Sequence, residues 1–267
     1  RGCGRWGLRV DPRAGALGAS NVASGGEAAG EVEDPFDSVR AGMSPEQYRL
    51  LVDNEDPSNV NALDLIESFS PSNRNGAMVG YSRQGGVSTL ACLTPDECRK
   101  LRDFIDETTQ FQWHGPNARA NVHWTTRIDS VDKAPDYQIN LYESDLRRIV
   151  GEAGFKRIWS IPRGLEGLQC TEDREPEDYG YKRVGIFLRK YTTDTRPFIL
   201  FHVDSNSCTG NVALNSDDDY VGGNLLTVTD GRVCVARRKE GEATVHDNKV
   251  AHGVSSMVTG TRYSMIL

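Results

Sequence analysis

The chain has 267 residues, 37% of them hydrophobic and 26% charged, and a formal net charge of −7. That length can bury one good core with appendages. No run approaches the roughly 18 apolar residues of a membrane helix, and the acidic balance speaks against nucleic acid, because phosphate binding wants a basic face.

The first 34 residues carry eight Gly and six Ala and no hydrophobic signal core. They read as a low-complexity segment, a linker or the remnant of a removed targeting sequence, which would leave the protein in an organelle lumen. Residues 35–86 read as short helices and a linker. Ser44-Pro45-Glu46-Gln47 is a capping box with proline at the first helical position, predicting a helix to about Val52. A second helix is expected over Val60–Phe69, and 70–86 is rich in Ser, Asn and Gly, as a linker is. Thr94-Pro95-Asp96-Glu97 is another capping box, with Cys98, Leu101, Phe104 and Ile105 on one face of the helix behind it, to about Thr108. A further helix is predicted over Leu141–Ala153, capped by Ser144 and stopped by Gly154. Arg163–Tyr181 is charged and loop-like.

Short apolar runs then recur between turn residues: 184–191, 197–203, 210–214, 223–229, 232–236, 243–246, 250–254 and 261–267. Such spacing predicts a β-sandwich or barrel. In the second run, strand parity puts Phe198, Leu200, His202 and Asp204 on one face and Ile199, Phe201 and Val203 on the other. The runs Asp217-Asp218-Asp219 and Arg237-Arg238-Lys239 read as solvated turns.

His202-Val203-Asp204 is the feature with most chemistry in it. His252 follows fifty residues later and Arg262 ten after that. Two histidines and one carboxylate form a facial triad that leaves three octahedral positions of Fe(II) open. An arginine nearby can fork onto the carboxylate of a metal-chelating co-substrate. His246, six residues before His252, is assigned a supporting or packing role. His114 and His123 have no partners at metal spacing. None of the six cysteines falls in a CxxC pair, which excludes zinc-ribbon and thioredoxin readings.

Order and spacing then carry a resemblance over Phe187–Leu267. Its residues are Arg189-Lys190-Tyr191, His202-Val203-Asp204, Thr209 to Asn215, Asp219-Tyr220-Val221-Gly222-Gly223, Gly241, His246, His252-Gly253-Val254 and Gly260-Thr261-Arg262-Tyr263-Ser264. This stretch resembles the catalytic domain of the Fe(II)/2-oxoglutarate dioxygenases, and within them the procollagen lysyl hydroxylase and prolyl 4-hydroxylase branch. The resemblance implies a mainly β (α+β) fold, a double-stranded β-helix or jelly-roll barrel supported by N-terminal helices. It implies a dioxygenase domain over 87–267 with its barrel core at 184–267. His202, Asp204 and His252 would be the catalytic metal ligands. Arg262 and Tyr191 would bind the far carboxylate of 2-oxoglutarate, with Asn211 and Ser264 beside them. The implied partners are O2, 2-oxoglutarate, ascorbate as reductant and a peptide or protein substrate. The implied reaction hydroxylates a C–H bond, on a peptidyl lysine or proline, and releases succinate and CO2. A small-molecule oxygenase and a non-catalytic barrel subunit are the competing readings, since fold does not fix function.

Overall fold

In the computed structural model, residues 34–70, 87–113 and 124–267 are described. The low-complexity segment, nearly all of the expected linker, His114 and His123 lie outside them. Helices α1 (Asp37–Ala41), α2 (Pro45–Leu51) and α3 (Ala62–Glu67) come first, then strand β1 (Ser88–Ala91), helix α4 (Pro95–Trp113), strands β2 (Trp124–Ile128) and β3 (Pro135–Leu141), and helix α5 (Glu143–Trp159). Ten further strands follow: β4 (Ile186–Tyr191), β5 (Ile199–His202), β6 (Cys208–Ala213), β7 (Val221–Gly222), β8 (Leu225–Thr229), β9 (Arg232–Val235), β10 (Glu242–Asp247), β11 (Ala251–Val254), β12 (Met257–Thr259) and β13 (Arg262–Ile266).

The two capping-box sequences differ in outcome: Ser44 caps its helix, but the Gln47 side chain bonds Ser68 Oγ at 3.1 Å instead of reaching back to the cap. Ser44 accepts from the Gln47 N–H at 3.2 Å. Thr94 and Glu97 exchange bonds reciprocally: Glu97 N–H to Thr94 Oγ1 at 3.3 Å, Thr94 N–H to Glu97 Oε2 at 2.8 Å. The helix expected over Leu141–Ala153 is displaced. Leu141 ends β3, and the helix begins at Glu143 with Tyr142, not Ser144, at its N-cap. It runs through Gly154 to Trp159, with one break in helical dihedrals at Gly151 (φ 76°, ψ 172°). Gly154 packs rather than stops the helix, since a Cβ there would stand 2.7 Å from Glu97 Oε1.

The strands form a mainly antiparallel jelly-roll-type fold that is not closed into a barrel. One sheet has seven strands in the order β1-β10-β6-β13-β4-β3-β2; the second has four, β5-β11-β8-β9; β7 and β12 pair separately. This is the expected jelly-roll type of fold, with the two larger sheets not joined at their edges among the described residues. Strands β1, β2 and β3, which the sequence did not announce, extend the first sheet at its two ends.

Each sheet is covered on its outer face. Leu188, Val212, Val245 and Met265 of the first pack against Leu101, Ile105, Leu146 and Phe155 of α4 and α5. Phe201, Leu226 and Val228 of the second pack against Leu50, Leu65 and Phe69 from the α2–α3 region. The inner faces meet through Tyr191, Ile199, Leu225 and Val254. At about 25 cal/mol per Å² of apolar surface removed from water, these faces dominate the favourable side of folding.

Strand β5 departs from simple alternation. His202 pairs with His252 and Ile199 with Val254, so two residues of β5, Leu200 and Phe201, oppose Gly253 alone. This is a β-bulge. It turns Ile199 and His202 to the same inner side while Phe201 packs outward, correcting the expected parity of 197–203. Gly253 makes room for it: an added Cβ would stand 3.0 Å from the Ile199 carbonyl oxygen and 3.2 Å from the Phe201 nitrogen. Gly253→Ala should therefore push back the backbone that carries His202. A loss of about 1–3 kcal/mol of stability, the usual cost of overpacking, and weaker divalent-metal binding are expected, read by thermal unfolding and metal titration. Unchanged values for both would show that the bulge is not tight.

Candidate metal centre

His202 and His252 face one another across β5 and β11, with ring centroids 4.3 Å apart. Asp204, two residues past His202 and just beyond the strand, reaches both. One of its oxygens is 3.6 Å from His202 Nε2, and the other is 3.6 Å from His252 Nε2. The three candidate donor atoms all lie within 4.8 Å of one another. Cis donors around a first-row divalent ion, at bond lengths of about 2.1 Å, stand about 3 Å apart. The set thus has to draw together, by about 0.6 Å between Asp204 and each histidine, to share one ion.

Backbone carbonyls fix both tautomers. His202 Nδ1 lies 2.9 Å from Leu200 O, and His252 Nδ1 lies 3.2 Å from Val250 O. A carbonyl only accepts, so each Nδ1 carries the hydrogen and each Nε2 keeps its lone pair toward Asp204. Thr209 Oγ1 donates to Asp204 Oδ2 at 2.6 Å and orients the carboxylate. His246 lies beside the triad, its ring centroid 4.5 Å from that of His252 and its Nδ1 held at 2.9 Å by Asp247 O.

Burial sets the charge states. It lowers the pKa of His252 to about 4, with the neighbouring His202 adding to the effect, and lowers His246 to about 4. Burial also lowers His202 against the pull of Asp204. Burial would raise Asp204, but the two imidazoles and the Thr209 hydroxyl outweigh it and hold the carboxyl below its ordinary range. Near neutral pH the site is two neutral imidazoles and a carboxylate, the forms that bind metal.

The triad lines a cavity of about 540 Å³ between the sheets, together with Tyr191, Thr209 and Asn211. A second cavity, of about 690 Å³, shares Asn206 with it and is bordered by Tyr181, Lys182 and Arg183, at the end of the expected loop. Arg262 lies against Tyr191, which lines the first cavity. It pairs in register with Tyr191, and its guanidinium lies 4.7 Å from that ring's centroid. It is 1% exposed, and none of its three nitrogens has a hydrogen-bond partner among the described residues. Ser264, on the same face of β13, is fully buried with its hydroxyl likewise unpartnered. A buried cation with no anion is costly. An anionic ligand at this point would satisfy all four atoms.

Some polar contacts here have no signal in the sequence. Asp129 and Arg189 line the cavity and bond at 3.1 Å; fully buried Arg196 bonds Asp129 at 3.2 Å and Asp132 at 2.8 Å. These pairs join residues more than 50 positions apart, beyond the reach of any local signal. Asp217 and Arg238, expected in solvated turns, are 6% and 3% exposed and paired with each other. Their runs were misleading because Asp218, Arg237 and Lys239, the neighbours that suggest a solvated run, are indeed exposed.

No family model and no curated protein matches the chain. Solved structures do. AviO1 from Streptomyces viridochromogenes Tue57 is 14% identical with a TM-score of 0.48, over 74% of this chain and 95% of its own. A Pseudomonas putida prolyl-4-hydroxylase is 14% identical with a TM-score of 0.44, over 68% and 90%. A Trichoplax adhaerens prolyl hydroxylase, in complex with a hypoxia inducible factor peptide fragment, is 10% identical with a TM-score of 0.45, over 75% and 93%. Values this low carry no argument about activity, which has to come from the site itself. Among the described residues no helix is long and apolar enough to cross a membrane.

Two predictions follow from the charges and contacts. His246 and His252 bind protons near pH 4 when folded, against 6.5 for an ordinary histidine. Between those values the unfolded chain holds more protons, so the metal-free protein should lose stability as pH falls from 6.5 toward 4. Asp204 acts in the same direction at lower pH. Denaturant midpoints measured across that range check the sign, and a flat profile would contradict it. Thr209→Val should weaken metal binding by about 10–100-fold, as loss of a ligand-orienting bond does, measurable by Co(II) titration; unchanged affinity would remove Thr209 from the site.

Proposed function

We propose that the chain is an Fe(II)- and 2-oxoglutarate-dependent dioxygenase that hydroxylates a C–H bond of a peptidyl lysine or proline. The observation that carries the reading is the buried Arg262 guanidinium, which has no hydrogen-bond partner among the described residues and packs against Tyr191, a lining residue of the cavity that holds the His-Asp-His triad. A triad alone fits several metals. A triad plus an unmet cation fits a metal-chelating co-substrate with a second, remote carboxylate, as 2-oxoglutarate is.

In this reading His202, Asp204 and His252 hold the iron and leave three positions for the oxo acid and O2. When bound, the iron and its co-substrate supply the oxidising chemistry, coupled to release of succinate and CO2, with ascorbate as the reductant that keeps iron ferrous. The protein's own work is geometry. Arg262 forks onto the far carboxylate and cannot lose its proton. Tyr191 backs the guanidinium with its ring face, Ser264 donates its hydroxyl, and Asn211 lines the cavity. Burial of these side chains keeps water from competing for the carboxylate. The adjoining cavity at Asn206 favours a substrate longer than a single small molecule, and the likeness of Phe187–Leu267 to lysyl and prolyl hydroxylases supports a peptide.

Succinate formation from 2-oxoglutarate, under air with Fe(II) and ascorbate, tests this. Wild type should turn over slowly without substrate and faster with a lysyl or prolyl peptide. His202→Ala should abolish turnover. Arg262→Ala should strand a buried carboxylate at a cost of roughly 3–5 kcal/mol, or about two to three and a half decades of 2-oxoglutarate affinity at 1.4 kcal/mol per tenfold. No succinate from wild type, or as much succinate from either variant as from wild type, would reject the assignment.

A further inference from the structure

Arg238 is one of the largest charged side chains in the interior, and the dioxygenase reading gives it no task. It sits just before β10, 3% exposed. Its backbone N–H donates to Asp217 Oδ2 at 2.9 Å and its Nη2 to Asp217 Oδ1 at 3.4 Å. The Tyr220 hydroxyl donates to the same carboxylate. Asp217 thus neutralises Arg238, while Arg262 has no hydrogen-bonded anion among the described residues. The two guanidiniums are close enough that Arg262, after burial itself, pushes the pKa of Arg238 down.

The remaining fork of Arg238 points at Asn211. Nη1 donates to Asn211 Oδ1 at 2.8 Å and to the Asn211 carbonyl oxygen at 3.4 Å. An arginine has five N–H donors and no acceptor. The side-chain atom of Asn211 that faces it must therefore be the oxygen, and the amide cannot flip without setting N–H against N–H. Asn211 also lines the cavity. Its NH2 group is what remains for the cavity side.

We propose that Arg238 is a positioning residue of the co-substrate pocket, holding Asn211 so that its amide N–H groups face the cavity. This rests on the reading of the cavity as an anion-accepting co-substrate site. The Asn211 amide then adds its donors to the unpartnered Arg262 nitrogens and Ser264 hydroxyl, which lie on the same side of the first sheet. Such a donor set selects a carboxylate over an isosteric amide or alcohol, because each of those would bring a donor or a weaker acceptor against it.

The test is calorimetric titration of the full chain with two probes, 2-oxoglutarate on the Fe(II)-loaded protein without oxygen and glutarate on the metal-free protein. Asn211→Asp keeps the bond to Arg238 but turns a carboxylate oxygen to the cavity. It should weaken both probes at least tenfold, since like charges set face to face cost several kcal/mol, while the unfolding midpoint stays close to wild type. Binding equal to wild type would mean that the amide presents its oxygen to the cavity, and would overturn the proposal. Arg238→Lys should weaken binding several-fold in the wild-type background and have no further effect in Asn211→Leu; losses that add in full would show that Arg238 does not act through Asn211. This cycle decides the matter if Asn211→Asp fails to fold. Probe binding with the Asn211→Asp penalty but no succinate turnover would reject the dioxygenase reading and keep this one. Wild type that binds neither probe would overturn the inference as well.

Discussion

The pairing of β5 with β11 is the constraint on which the centre depends. Metal ligands on separate strands come together only if the register is held to a single residue, since a slip of one turns every side chain to the opposite face. Here the register is pinned by the bulge opposite Gly253, which lets β5 bury Phe201 outward against the α2–α3 layer and still present His202 inward opposite His252. The backbone carbonyls of Leu200 and Val250 then set the rings, and Thr209, from the other sheet, sets the carboxylate. Metal binding and sheet packing are therefore one problem: whatever loosens the outer layer behind β5 also loosens the ligand geometry.

The second organising term is electrostatic. The interior holds Arg189, Arg196, Arg238 and Arg262, and three of the four have carboxylate partners: Asp129 and Asp132 for the first two, Asp217 for the third. Each such pair offsets much of its own desolvation. Arg262 differs, with aromatic contact to Tyr191 and no hydrogen-bonded anion among the described residues. A fold stable enough to bear that imbalance keeps it where a ligand can correct it. This is why an arginine, rather than the triad alone, points to the class of chemistry.

How much of this was legible in the sequence depends on the range of the interaction. The N-cap at Ser44 and the capping box at Thr94 are local hydrogen-bond patterns and are legible in the sequence, whereas the Gln47 side chain goes to Ser68 instead. The eight apolar runs from 184 onward each lie on or beside a strand, because side-chain alternation is local too. The triad and Arg262 stood out because their order and spacing match a known pattern. The upstream strands β1 to β3 did not stand out: Gln138 and Asn140 interrupt β3, and its pairing partner β4 is nearly fifty residues away. Leu141 looked like a helix start because the helix follows within two residues. Gly154 looked like a stop because its use, clearance for Glu97, is a tertiary fact. Arg238 and Asp217 were hidden inside exposed charge runs, where one buried member leaves no trace in composition.

The central claim is that the triad and Arg262 serve one bound molecule. The most direct measurement is the visible absorption of the Fe(II)-loaded chain, without oxygen, as 2-oxoglutarate is added. Chelation of the oxo acid to iron should give a new band that saturates with 2-oxoglutarate, is absent with glutarate, and needs far more 2-oxoglutarate in Arg262→Ala. A chain that binds Fe(II) but shows no such band, or one whose band forms equally well without Arg262, would contradict the account.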